Sequence, residues 1–161
     1  MKNVVASFKE TLLRRTDLPA AVAAIYALTL VIEKSTANTM TEFTIELEEA
    51  TNELQVATKN AIAVLAGCEL FKRFVTRTAG DVIEEFDRFK KILINRGHIF
   101  TERAPLCREK IAALSFQFIT HDSSILVHSY SRSVMSLLIK AAAEGRNVTV
   151  YVTEARPASS G

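Results

Sequence analysis

The chain has 161 residues, 48% of them hydrophobic, and its 20 basic residues nearly balance 18 acidic ones to leave a net charge of +2 at pH 7. That is enough apolar material for a buried core; it excludes a disordered tail and the one-signed balance of a dedicated nucleic-acid binder. Cys68 and Cys107 stand far apart, in neither a CxxC nor a Cys/His ligand spacing, so they read as buried, reduced thiols of a cytosolic protein and not as a disulfide framework.

The opening "MKNVVASFKETLLRR" carries charges inside its apolar pattern and no small-residue cleavage site, which argues against a secretory signal. Next comes "LPAAVAAIYALTLVI", Leu18 to Ile32, closed by Asp17 and Glu33. It is shorter than the roughly 20 apolar residues a membrane span needs, so a buried core helix is expected and no membrane partner. In "TEFTIELEEATNELQVA", Phe43, Leu47, Ala50, Leu54 and Ala57 recur at spacings of four and three and stack on one helix face. The other face holds Glu42, Glu46, Glu48, Glu49 and Glu53 with no basic residue among them. Such a face is a solvated surface or meets a basic partner. Further stripes follow in Val64, Cys68, Phe71 and Val75, then in Val82, Phe86, Phe89, Leu93 and Phe100. After Pro105 a further stripe follows in Ile111, Leu114 and Phe118. Residues 1–119 therefore read as a helical bundle.

From residue 120 the pattern changes. "SSILVHS" and "NVTVYVTE" are short and rich in β-branched residues, and "SRSVMSLLIKAAAEG" between them is a helix stopped by Gly145. Strand, helix, strand is a βαβ crossover, so the overall class is α/β: a helical domain, 1–119, then the opening of a parallel sheet, 120–161. Two parallel strands need more strands and helices to cover both faces. The chain thus reads as the front part of a larger, here truncated, α/β protein.

In an open parallel sheet, ligands gather at the carboxyl ends of the strands, where helix N-termini offer free N–H groups to anions. Here the two exits are His128 to Arg132 and Glu154 to Gly161. They carry hydroxyls at Ser129, Tyr130, Ser131, Ser159 and Ser160, guanidinium groups at Arg132 and Arg156, and the side chains of His128 and Glu154. Those groups are the ones expected around a phosphate or a sugar. The plainer alternative makes Ser131 an N-cap and Arg156 a surface ion-pair partner. His98, His121 and His128 lack the i, i+4 or cysteine partners of a metal site, and no cofactor is expected.

The "HSYSR" and "TEARP" segments, with "INRGHIFTERAPLCREKIAALSFQFI" before them and "PAAVAAIYAL" and "LAGCELFKRFV" upstream, closely resemble the alpha-subunit family of eukaryotic translation initiation factor 2B. The resemblance covers nearly the whole chain and implies an N-terminal helical domain followed by a Rossmann-like domain. It implies a non-catalytic regulatory subunit that works with beta and delta subunits and a catalytic subcomplex in guanine-nucleotide exchange on initiation factor 2. Such a subunit senses the phosphorylated alpha subunit of that factor, and full-length members form a homodimer; direct nucleic-acid contact is not implied. A Thr-x-x-Glu pair on the family's partner-facing surface is matched by Thr39 and Glu42, which locally also read as the N-cap and fourth residue of a capping box. The superfamily contains isomerases of ribose 1,5-bisphosphate and methylthioribose 1-phosphate, in which a cysteine follows the loop histidine. Here Ser129 stands in that place, and the isomerases' glycine- and arginine-containing loop is replaced by "PAAVAAIYAL". These departures argue against turnover, and the alternative is a sugar-phosphate isomerase-like protein of that class or a sugar-phosphate binder without turnover.

Overall fold

The computed structural model describes residues 3–59, 61–81 and 86–156. Within them the order is α1 (Val4–Arg14), α2 (Ala20–Lys34), α3 (Met40–Ala57), α4 (Ile62–Asp81), α5 (Phe86–Ser115), a 3-10 turn (Phe116–Phe118), β1 (Ser123–His128), α6 (Arg132–Ala143) and β2 (Val148–Thr153). The chain divides into two compact units, Met1–Ala104 and Pro105–Gly161. This division falls inside α5, whereas the change of sequence pattern comes at residues 119–120.

The core of the first unit follows the helical stripes. Phe43, Leu47, Ala50 and Leu54 of α3 are buried with Val64, Cys68, Phe71 and Val75 of α4 and with Phe89 and Leu93 of α5. Ala57 and Phe100, at the ends of two of those stripes, are exposed, and Val82 lies outside the described residues. The apolar stretch expected to be a buried helix is α2, whose Ala23, Ala24, Ile25, Ala27, Leu28 and Ile32 are all in this core. Its alanines leave room for close neighbours. A Cβ added at Gly67 of α4 would stand 2.5 Å from the carbonyl oxygen of Ala21, and one at Gly97 of α5 would press 2.8 Å from Cγ2 of the buried Thr29.

Buried threonines in this unit show how polar groups survive in a helical core. Thr11, Thr29, Thr78 and Thr101 each donate the hydroxyl to the carbonyl four residues back, Ser7, Ile25, Phe74 and Gly97, at 2.7 to 2.9 Å. Thr51 is fully buried and its hydroxyl has no hydrogen-bond partner among the described residues. Leaving such a group dry costs about 1 to 3 kcal/mol. Thr51→Val keeps the shape, and the two residues have similar helix propensity. The variant is expected to be about 1 kcal/mol more stable in urea denaturation; a loss of stability would mean that the hydroxyl has found a partner.

Two expectations need correction, both near Pro105, which itself lies inside the continuous helix α5. Ile111, Leu114 and Phe118 do not face a core but are half or more exposed. The buried positions are Ala112 of α5 and Ile119, which follows the 3-10 turn in extended backbone; the helical period expected to run on through Phe118 stops at Ser115. Cys107 is exposed, while Cys68 is buried and its thiol is pushed up to about 11 chiefly by desolvation.

In the second unit, β1 pairs in parallel with β2, in register from Ser123 opposite Val148 to His128 opposite Thr153, with α6 as the crossover. Its entry is fixed by an exchange across the strand starts: the Asp122 N–H donates to the Asn147 carbonyl at 2.7 Å, and the Asn147 side-chain amide donates to the Asp122 carboxylate at 2.8 Å. Alternation along β1 buries Val127 and turns Leu126 out. Helix α6 ends as its sequence requires, with Gly145 in the left-handed region at φ 72°. The cations of Lys140 and Arg146 lie 5.5 and 4.9 Å from the centre of the Phe116 ring, tying the helix end to the 3-10 turn. The architecture is thus the expected one, a helical bundle followed by a βαβ unit. Among the described residues no helix is long and apolar enough to cross a membrane.

Candidate functional site

Parallel pairing in this register sets the two strand exits side by side. His128 ends β1 opposite Thr153, and its Nδ1 lies 2.8 Å from the threonine hydroxyl. Immediately beyond, both exits turn through a non-glycine residue in the left-handed region: Ser129 at φ 64° and Ala155 at φ 56°. Such backbone costs about 1 to 3 kcal/mol each and persists only where the surroundings hold it, as at binding loops. Ser129 is half-buried and Tyr130 projects into solvent. Ser131 is the N-cap of α6, its hydroxyl accepting the Val134 N–H at 3.4 Å, and Arg132 opens the helix. On the second exit Arg156 donates to Glu154 at 2.8 Å, with both side chains more than half exposed. The plainer roles foreseen for Ser131 and Arg156, cap and ion-pair partner, are therefore both realised. Ser159 and Ser160 lie outside the described residues.

What these loops offer together is one helix N-terminus, the hydroxyls of Ser129, Tyr130 and Ser131 and the guanidinium groups of Arg132 and Arg156. Chemically this is a set of hydrogen-bond donors for an anion, with no thiol among the two loops' described residues.

The other candidate pair sits in the helical unit. Thr39 is the N-cap of α3, its hydroxyl accepting the Glu42 N–H at 3.2 Å, while the Glu42 carboxylate accepts the Asn38 N–H at 3.1 Å. The Thr39 half of the capping box predicted by the T-x-x-E spacing is therefore present, while the Glu42 carboxylate reaches one residue further back than the box requires, to Asn38 instead of Thr39. Both side chains remain exposed, so a surface role is not used up by the cap. Along the same helix Glu48, Glu49 and Glu53 stay exposed beside Ile45 and Val56.

The histidines serve other contacts. His98 Nε2 is 2.6 Å from Glu33 with its ring edge-on to Tyr26, and His121 Nδ1 accepts the Asn147 N–H at 3.3 Å. Among the described residues no group of three or more metal-ligating side chains converges.

Sequence comparison decides the family. The sequence model of the initiation factor 2 subunit family matches residues 14–161. The chain belongs to the initiation factor 2 subunit family. Within that family it is 38% identical over 159 residues to translation initiation factor eIF2B subunit alpha of Dictyostelium discoideum, covering 98% of this chain and 50% of the relative. It is also 28% identical over 143 residues to the ribose 1,5-bisphosphate isomerase of Thermococcus kodakarensis, covering 85% of this chain and 42% of that enzyme. Of solved structures, the eIF2B beta2-delta2 tetramer from C. thermophilum superposes with a TM-score of 0.74 at 18% identity, over 92% of this chain and 50% of that one. That likeness establishes a shared fold. The chain spans about half the length of the curated relatives it matches, and those relatives include both a translation factor subunit and an isomerase.

Sequence reasoning located both strand exits and the capping box because each is written in neighbouring residues. It missed the ties that hold the turn before Thr39, made by Ser35, Glu46 and Lys90. No local pattern signals a contact between residues 55 positions apart.

Proposed function

We propose that this chain acts as a non-catalytic regulatory subunit of the initiation factor 2B guanine-nucleotide exchange complex in the cytosol. It would work beside the beta and delta subunits and the catalytic subcomplex, responding to the phosphorylated alpha subunit of initiation factor 2. The observation that carries this reading is the 38% identity over 98% of the chain to an eIF2B alpha subunit. The helical part, to about residue 119, would supply the partner-facing surface through Thr39 and Glu42, and residues 120–161 the start of a Rossmann-like domain.

The isomerase alternative is disfavoured by Ser129. An unactivated hydroxyl is a far weaker acid and base near neutrality than a thiol. Two strand exits side by side with a helix N-terminus between them favour a second, compatible reading, retention of a sugar-phosphate pocket without turnover, built from His128, Ser129, Tyr130, Ser131, Arg132, Glu154 and Arg156.

The test is capture of the tagged chain from its own cell extract, followed by titration with phosphorylated initiation factor 2. Beta and delta subunits should accompany it. Glu42→Lys should weaken binding of the phosphorylated factor about tenfold, roughly 1.4 kcal/mol, with the helical fold retained by circular dichroism. Capture without those subunits, or turnover of ribose 1,5-bisphosphate, would overturn the reading.

A further inference from the structure

The five-residue turn that delivers Thr39 is held by charged side chains from two different helices. Ser35, the C-cap of α2, is buried. Its carbonyl accepts from Lys90 Nζ of α5 at 2.7 Å, and its hydroxyl bonds to Glu46 of α3 at 2.5 Å while accepting the Ala37 N–H at 3.2 Å. Three residues after Ser35, the Asn38 N–H goes to the Glu42 carboxylate, and the Glu42 N–H goes to the Thr39 hydroxyl. The turn is thereby tied from Ser35 at its start to the exposed pair Thr39 and Glu42 at its end. Lys90 also lies 5.7 Å from the centre of the Phe86 ring, which packs edge-on against Phe43 at the start of α3.

A short connection between helices needs no such arrangement, since the last carbonyls of a helix are commonly satisfied by water or by the chain itself. Here a half-buried ammonium and a half-buried carboxylate converge on one serine. Burying charge is unfavourable unless its hydrogen bonds are made, and charge-assisted bonds of this kind are short and directional. What they fix is the path of residues 35–39, because α2 and α3 are already held by their own buried faces.

We propose that Lys90, Ser35 and Glu46 are positioning residues, which set the orientation in which Thr39 and Glu42 meet the phosphorylated partner. This rests on the reading of Thr39 and Glu42 as the partner-facing pair. Ser35 is buried and acts through the turn, so the three need not touch the partner.

The experiment compares binding of the phosphorylated alpha subunit of initiation factor 2 to the unaltered chain and to Lys90→Met, Lys90→Arg and Glu42→Lys, each well below its melting temperature. Methionine keeps an apolar stem over Phe86 and removes the donor; arginine keeps a donor. Lys90→Met should weaken binding about tenfold, Lys90→Arg should stay within about threefold of the unaltered chain, and Glu42→Lys should weaken binding as well. A purely structural role for Lys90 would lower the melting temperature and leave binding unchanged. If Glu42→Lys weakens binding and Lys90→Met does not, the positioning role falls and the partner-facing pair stands. If neither does, both fall. Weakening by Lys90→Met that arginine does not restore, or that Glu42→Lys does not share, also overturns the proposal.

Discussion

Phe43→Ala is expected to destabilise the helical unit by about 4 kcal/mol, the range for removing a large buried aromatic side chain. Phe43 is 1% exposed and sits where aromatic residues of two helices meet, its ring edge-on to Phe86 at 5.8 Å and to Phe89 at 5.7 Å, both on α5. Each such edge contact adds about 0.5 to 1.5 kcal/mol beyond the area buried. The cavity left behind is bounded by α3 and α5 in their first turns, where neither helix can collapse without moving the Thr39 cap. Urea denaturation followed by circular dichroism checks it. A loss below about 1.5 kcal/mol would mean that the two remaining rings close the gap and that the cluster is less rigid than its geometry implies.

Gly67→Ala should also destabilise the chain, against the local preference of the helix. In an exposed helix the exchange would be favourable by about 1 kcal/mol. At position 67 the new methyl would meet the Ala21 carbonyl oxygen at 2.5 Å, with the Ala21 Cα and carbonyl carbon at 3.0 and 3.1 Å. All three are backbone atoms and cannot rotate away, so α2 and α4 must separate. Overpacking of this kind costs about 3 kcal/mol at its upper end, for a net loss of about 2 kcal/mol and a fall of roughly 10 °C in melting temperature. A rise in melting temperature would show that α4 can slide along α2. The backbone approach explains why alanine and glycine crowd the centre of this bundle where larger apolar residues would bury more surface.

Much of this architecture was legible because its determinants are local. Phe43, Leu47, Ala50 and Leu54 announce a helix face by spacing alone, Thr39 and Glu42 announce a cap, and the change to β-branched residues at Ser123 and Val148 announces strands. The rest was hidden for a physical reason in each case. Ile111, Leu114 and Phe118 make as regular a stripe as any in the chain, yet they are half or more exposed, and burial falls instead on Ala112 and on Ile119, which lies beyond the end of the helix. Apolar spacing reports that a face exists, and only its neighbours decide whether it is covered. The Lys90 ammonium reads from sequence as one more surface charge; its role depends on Ser35, brought to it by the packing of two helices. The strand exits were found by a general rule for parallel sheets, but their left-handed residues, Ser129 and Ala155, could not be, because serine and alanine rarely adopt that conformation and neither announces it.

Pro105 has an effect that static packing does not convey. Lacking an amide hydrogen, it cannot donate to the carbonyl of Thr101, one turn earlier, and the Thr101 hydroxyl is already committed to Gly97. The ladder of α5 therefore lacks a rung at mid-length, beside the point where the chain's two compact units divide. Helices ordinarily fray from their ends inward. This one has a third weak place, in the middle of its length, where one backbone hydrogen bond fewer must break for the helix to open.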